Sequence, residues 1–434
     1  MNHTQDLLDF LYACPTCFHT VHAIETRLEE NGYARLEEKN RWKLKEGGKY
    51  YVTRNQASII AFRIPRRDYT GYMIGASHSD SPSLKIKENP EMKGHGYTKL
   101  NVEKYGGAIL SGWLDRPLST AGRVMVKEGN RIVSKLYCSE EDLFVIPSLA
   151  IHMNRKTNEG MNWNVQTDLC PLMAVDENTD FLSIVSEDLR VRKEDIIGHD
   201  LFLYVREKGR VIGRHKDMIL AAHIDDLMCG YGDLVGFLNS KDGDSVPVLA
   251  IFDNEETGSL SAQGADSTFL ADTLAAINDG CGRDAMANRT AIAESFMVSA
   301  DNAHAIHPNH PEKADPINQP HMNAGIVIKY NANQHYTSDA LSAAVFRMIC
   351  EKAGASCQVF TNRSDMLGGS TLGNLSERHV SLHTVDIGLP QLAMHSCMET
   401  AGTKDTEDLI QAMKVFFSSS VTAEKDDFEV KVSE

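Results

Sequence analysis

No apolar run in this 434-residue chain approaches the roughly 20 residues that a membrane-crossing helix needs. Residues 1–10 carry two acids and no basic cluster, so no secretory leader is read there and a cytoplasmic location is expected. Positive charge is scarce. Lys and Arg number 44 against 60 Asp and Glu, and the formal net charge of −16 argues against nucleic acid or an anionic membrane as partner. It also repels acidic substrates at long range, so a preference for them would need a dedicated local cation. The nine cysteines form no framework, and their odd number reads as free thiols in a reducing compartment. Cys14-Pro15-Thr16-Cys17 has no second Cys pair and no βαβ unit around it, so it is read as a thiol near a helix start. Several catalytic signatures are missing. The chain lacks His-Glu-x-x-His, which excludes the single-zinc helix-borne metalloproteases, and it lacks the nucleophile-elbow serine spacing. Gly368-Gly369-Ser370-Thr371 has no Lys to make it a phosphate loop. No internal repeat or low-complexity linker is visible.

What is present has the composition of a globular protein, 42% hydrophobic and 24% charged, in a chain too long for one ordinary core. Short apolar, β-branched runs at 57–64, 72–78, 218–224, 246–252, 295–301 and 382–387 are unbroken rather than alternating. That pattern predicts strands buried on both faces, as in a mixed sheet covered by helices. Helices are predicted at 18–30, at 338–353 with a stop at Gly354, and at 405–418. The region between His78 and Asp225 differs. Residues 123–127 and 132–137 flank Gly129-Asn130 as a hairpin, and 201–206 and 211–213 flank Lys208-Gly209 as another. The expected fold is therefore α/β, with residues 1–90 and 215–434 forming one domain and a β-rich block, 91–214, inserted in it.

The strand-like runs end in groups that bind metals. His78 and Asp80, Asp225 and Asp226, Glu255 and Glu256, and Asp301 close successive runs, and His395 follows 390–394. Strand ends are where α/β sheets place ligand-binding groups. Two His with several carboxylates suit Zn, Mn or Co better than thiolate-loving ions. Taken singly, each motif is weak. His78-Ser79-Asp80 could be a satisfied strand-end His, Asp225-Asp226 a turn or cap, and Glu255-Glu256 the acidic start of a helix. Taken together at successive strand ends, they are hard to explain as caps.

With these pieces in order, the chain resembles the aspartyl aminopeptidases and their bacterial relatives. The resemblance covers nearly the whole length and rests on His78-Ser79-Asp80-Ser81-Pro82, Ile151-His152-Met153-Asn154-Arg155, Asp253-Asn254-Glu255-Glu256-Thr257-Gly258-Ser259, Ser299-Ala300-Asp301-Asn302-Ala303-His304-Ala305, Lys329-Tyr330-Asn331-Ala332-Asn333-Gln334 and Pro390-Gln391-Leu392-Ala393-Met394-His395-Ser396. It implies a di-zinc peptidase domain interrupted by a β-rich dimerisation domain, acting on peptides as a homo-oligomer built from dimers, such as a dodecamer. It implies His78, Asp225 and Asp301 around one ion and Asp225, Glu256 and His395 around the other, with a cis peptide bond between Asp225 and Asp226. Glu255 matches the general base, Asp80 the group that orients His78, His152 an oxyanion-stabilising residue from a neighbouring subunit, and Lys329 the contact to an acidic substrate side chain. The chain departs from the family pattern at Asp226, usually Asn, at Thr257, usually Val, and at Met398, where Arg is common. The function implied is release of N-terminal Asp or Glu. The alternatives are an aminopeptidase for neutral residues such as Leu, a deacylase or carboxypeptidase on the same scaffold, and a non-catalytic oligomeric scaffold.

Overall fold

A computed structural model describes residues 3–424 and 427–433. Its centre is a nine-stranded mixed sheet in the order Ala34–Arg35, Lys49–Arg54, Ser58–Arg63, Val246–Phe252, Tyr72–His78, Phe296–Ala300, His383–Gly388, Ile326–Tyr330, Cys357–Thr361. The four strands from Val246–Phe252 to His383–Gly388 run parallel, so their carboxyl ends share one edge. Three of them, Tyr72–His78, Val246–Phe252 and Phe296–Ala300, are buried at every residue, as their unbroken hydrophobicity requires. Alternate side chains enter opposite cores. Met73, Leu249, Ile251 and Val298 meet the helices Ile224–Asn239, Ala340–Ala353 and Asp405–Phe417, whereas Ile74, Val248, Ala250 and Met297 meet Phe269–Gly280. The predicted stop at Gly354 is present as a left-handed residue at φ 67°, which costs little where there is no Cβ.

A six-stranded antiparallel sheet forms the β-rich block, in the order Arg131–Cys138, Ser119–Glu128, Ile196–Tyr204, Ser83–Gly94, Tyr97–Tyr105, Leu172–Ala174. It has its own apolar core around Trp113, Phe144, Phe181 and Leu201. The hairpin turning at Gly129, φ 63°, is as predicted. The hairpin expected around Lys208-Gly209 is not formed. Ile196–Tyr204 pairs with Ser119–Glu128, while Arg210–Ile212 pairs with Met218–Ala221 in a separate five-stranded sheet. Strands that both carry suitable residues can belong to different sheets, and local turn chemistry does not tell them apart. By sheet membership the block runs from Ser83 to Tyr204, earlier at both ends than the 91–214 read from the sequence. Among the described residues no helix is long and apolar enough to cross a membrane.

Candidate metal centre

Three predicted groups stand at the shared carboxyl edge of the central sheet. His78 ends its strand, Asp301 follows Phe296–Ala300, and Glu255–Thr257 forms a 3₁₀ turn after Val246–Phe252. That turn is entered through Asn254 at φ 63° and left through Gly258 at φ 93°, residue types that tolerate the left-handed region. Asp225 arrives differently from the sequence expectation. The strand predicted over 218–224 ends at Ala221 and lies in the five-stranded side sheet, because His223 turns left-handed at φ 61° and a helix follows. The Asp225–Asp226 peptide bond is cis. His395, at φ 67°, is held in the link between Pro390–Leu392 and Glu399–Gly402 of the same side sheet.

The side chains converge on two adjoining clusters. Ligand atoms of His78, Asp225 and Asp301 lie within 4.8 Å of one another, and so do those of Asp225, Glu256 and His395. Asp225 is common to both: its Oδ1 is 3.7 Å from His78 Nε2 and its Oδ2 is 3.2 Å from His395 Nε2. A third grouping joins His78, Glu255 and Glu256. Each His Nδ1 faces a backbone carbonyl, that of Asp80 at 3.0 Å for His78 and that of Gly107 at 3.3 Å for His395. A carbonyl only accepts, so Nδ1 carries the proton and Nε2 offers its lone pair to the cluster. The approach is close, since a Cβ on Gly107 would lie 3.3 Å from His395 Nδ1 and would press on the ring.

The donor set fits divalent cations. Asp225 Oδ1 and Glu256 Oε1 are buried with no hydrogen-bond partner among the described residues, a costly arrangement for carboxylates unless cations meet them. Burial and neighbouring carboxylates push Glu255 up to about 8 and Glu256 well above the usual range. Burial opposes charge on His78, yet Asp225 and Asp80 hold its imidazole well above its ordinary value. Such crowding of acids in a buried site is what bound divalent cations would neutralise.

The surrounding residues refine several sequence readings. The Asp80 carboxylate is 3.4 Å from His78 Nδ1, but its hydrogen bonds come from elsewhere. It accepts the N–H groups of Glu255 and Glu256 at 3.1 and 3.2 Å and the Tyr105 hydroxyl at 2.7 Å. Asp80 therefore fixes the glutamate turn, while its backbone carbonyl orients His78. The reason is that the strand stops at His78, so the two-residue alternation expected across His78-Ser79-Asp80 does not continue. Asp226 accepts the N–H of His78 and of Asn302, one on each oxygen, at 3.2 and 3.1 Å. Met398 packs in the core of the six-stranded sheet and is not on the wall of the metal-site cavity.

Lys329 is not the solvated strand-end lysine that a lone Lys would ordinarily be. It is 2% exposed and donates to the carbonyls of Asp301 and Asn302 at 2.6 and 3.2 Å, with Asp301 Oδ1 at 3.7 Å. It still lines the cavity of about 310 Å³ that opens on Asp225, Glu255 and His395. His152 is not brought to this cavity within the chain; it lies on an exposed turn. Sequence reasoning missed Glu399 and Tyr105. Glu399, buried, accepts the N–H of His395 at 2.7 Å and of Asp225 at 3.0 Å and so ties the two sides of the site together. An acid inside the small-residue segment Glu399-Thr400-Ala401-Gly402 was its one available signal.

The family model for aminopeptidase I zinc metalloprotease (M18) matches residues 10–417. The chain belongs to this family, and it is a metal-dependent aminopeptidase. It is 43% identical over 428 residues to the "Probable M18 family aminopeptidase 2" of Clostridium acetobutylicum, covering 96% of this chain and 99% of that one. Among solved structures, it matches a chain in the cryo-EM structure of the Ape4 and Nbr1 complex at 34% identity and TM-score 0.91, over 96% of this chain and 85% of that chain. It matches the S. cerevisiae mApe1 dodecamer at 26% identity and TM-score 0.84, over 96% of each.

Proposed function

We propose that the protein is a two-ion aminopeptidase that releases acidic residues from peptide N-termini. The observation that carries the two-ion reading is Asp225, which belongs to both ligand clusters with one oxygen toward each histidine. His78, Asp225 and Asp301 would hold one ion and Asp225, Glu256 and His395 the other, with zinc the metal named for the family. When bound, such ions supply activation of a water and polarisation of the scissile carbonyl. The Glu255 carboxylate takes the proton of the attacking water and passes it to the leaving amine, which requires an acid beside the ligands that is not itself committed to them. Exhaustive chelation is expected to abolish turnover and leave the fold largely intact, and about two equivalents of zinc per chain should restore it. Full activity in protein shown by elemental analysis to be metal-free would overturn the reading.

The acidic preference rests on Lys329. Two of its three N–H donors go to backbone carbonyls, which leaves one for a substrate carboxylate in a cavity of an otherwise acidic protein. At about 4 Å and an effective dielectric near 20 that attraction is worth roughly 4 kcal/mol. Lys329→Ala should lose far more kcat/KM on an aspartyl than on a leucyl substrate, with metal content measured alongside because Lys329 also faces Asp301. Equal losses, or a wild-type preference for Leu, would favour the neutral-residue alternative.

The inserted β-rich block is proposed as the dimerisation unit of a closed homo-oligomer, a dodecamer in a related protein of known structure. In it His152 would reach a partner's cavity and stabilise the oxyanion. His152→Ala mixed with inactive Glu255→Gln subunits should regain activity if the residue acts in trans. An active monomer in sedimentation would refute that role.

A further inference from the structure

A second cavity of about 460 Å³ adjoins the metal-site cavity, and His304, Phe360 and Gly369 line both. In a chain of net charge −16, counted with His neutral, its wall carries two cations, Lys313 and Arg363, and Asp315 is the one acid among the described residues lining it. Of the His that line it, His304 is held below the ordinary imidazole value by burial and by Lys329, so the charge of the wall rests on Lys313 and Arg363. That acid is occupied: Asp315 Oδ1 accepts the N–H groups of Ile317 and Asn318 and the Asn318 side-chain amide at 3.0, 2.7 and 3.1 Å. Arg363 is paired with Asp365, at 2.7 and 3.1 Å, and His310 faces Glu312 at 3.4 Å. The Lys313 side chain makes no hydrogen bond or ion pair among the described residues, and the residue is exposed. The rim adds Leu367, 97% exposed, an apolar surface beside the cations.

An aminopeptidase substrate has nothing before its first residue. Once that residue fills the metal-site cavity, the chain can continue only with the residues after the scissile bond, and the adjoining cleft, which shares three lining residues with that cavity, lies next to them. We infer that this cleft receives the second to fourth residues of the peptide and favours acidic ones, with Lys313 as a specificity-determining contact. The inference rests on the aminopeptidase reading of the metal site, but it concerns a different part of the substrate from the residue released.

The test uses the zinc-loaded enzyme and peptides that share one N-terminal residue and differ at positions two to four, carrying Asp or Glu, Asn or Gln, or Lys. The kcat/KM values should fall in that order, with about tenfold between the acidic and neutral sets at low ionic strength and less as salt rises. In Lys313→Glu, a change at an exposed site, the acidic-to-neutral ratio should fall to about one or below. Single-residue chromogenic amides separate the two ideas. Turnover of these amides with no dependence on positions two to four overturns the cleft assignment and leaves the metal-site reading standing. A Lys313→Glu effect confined to the identity of the first residue also overturns it. Failure of the zinc-loaded enzyme on every amide and peptide would strike the aminopeptidase reading and this inference with it.

Discussion

Glu255→Gln is expected to lower kcat by about 10²–10⁴-fold while bound metal and KM change little. The variant keeps the shape of the side chain and removes only its capacity to take a proton. The position suits that role. The Glu255 N–H is fixed by Asp80 at 3.1 Å, its side chain lines the metal-site cavity, and its carboxylate has no hydrogen-bond partner among the described residues. Geometry alone leaves a competing assignment, because Glu255 also falls in a cluster with His78 and Glu256. The contrast with Glu256→Gln decides between them. Glu256 Oε2 is 3.3 Å from His395 Nε2 and its side chain is only 3% exposed, as a committed ligand would be. Loss of that carboxylate should appear as lowered metal occupancy, with activity partly recovered at high zinc. If Glu255→Gln lost metal and Glu256→Gln kept it, the two roles would be reversed.

How far the sequence reached depends on the kind of order involved. The central strands were legible because burial on both faces leaves an unbroken apolar run, as at Tyr72–His78 and Val246–Phe252, whose bounds agree with the predicted ones. The helix ending at Gly354 was legible because a left-handed stop favours glycine. Which sheet a strand joins was not. Met218–Ala221 and Arg210–Ile212 read as parts of other units, and only long-range pairing with Glu399–Gly402 assigns them to the side sheet. The same limit applies to the site. Residues whose chemistry is unusual for a strand end, His78, Glu256, Asp301 and His395, stood out as a succession, although each was weak singly. Glu399, which holds them through backbone groups, did not, and the N–H partners of Asp80 were not visible either, since such an acceptor is chosen by where a distant N–H happens to lie. Lys329 is intermediate: its type and place were visible, but its burial against Asp301 and Asn302 was not.

Asp225→Asn is expected to have the largest effect of all, because it removes the one carboxylate common to both clusters. An amide can offer a single neutral oxygen, so it cannot face His78 and His395 sites with charge on both sides. Although burial opposes its ionisation, Asp225 is held below the usual carboxylate range by His395 and His78, so the charged form is the one this site selects. Affinity for both ions should fall by more than the roughly 10–100-fold that follows from removing an outer hydrogen-bond partner. Glu399→Gln provides that comparison within the same protein, since Glu399 touches the site only through the N–H groups of Asp225 and His395. Thermal unfolding with and without zinc reads the difference independently of turnover, because a ligand bound only by the folded state stabilises it by RT ln(1 + [L]/Kd) and so raises Tm more the tighter it binds. The wild type should shift strongly, Glu399→Gln less, and Asp225→Asn hardly at all. A zinc-dependent shift in Asp225→Asn equal to that of the wild type, or two ions still bound per chain, would mean that Asp225 does not bridge and that the clusters are independent sites.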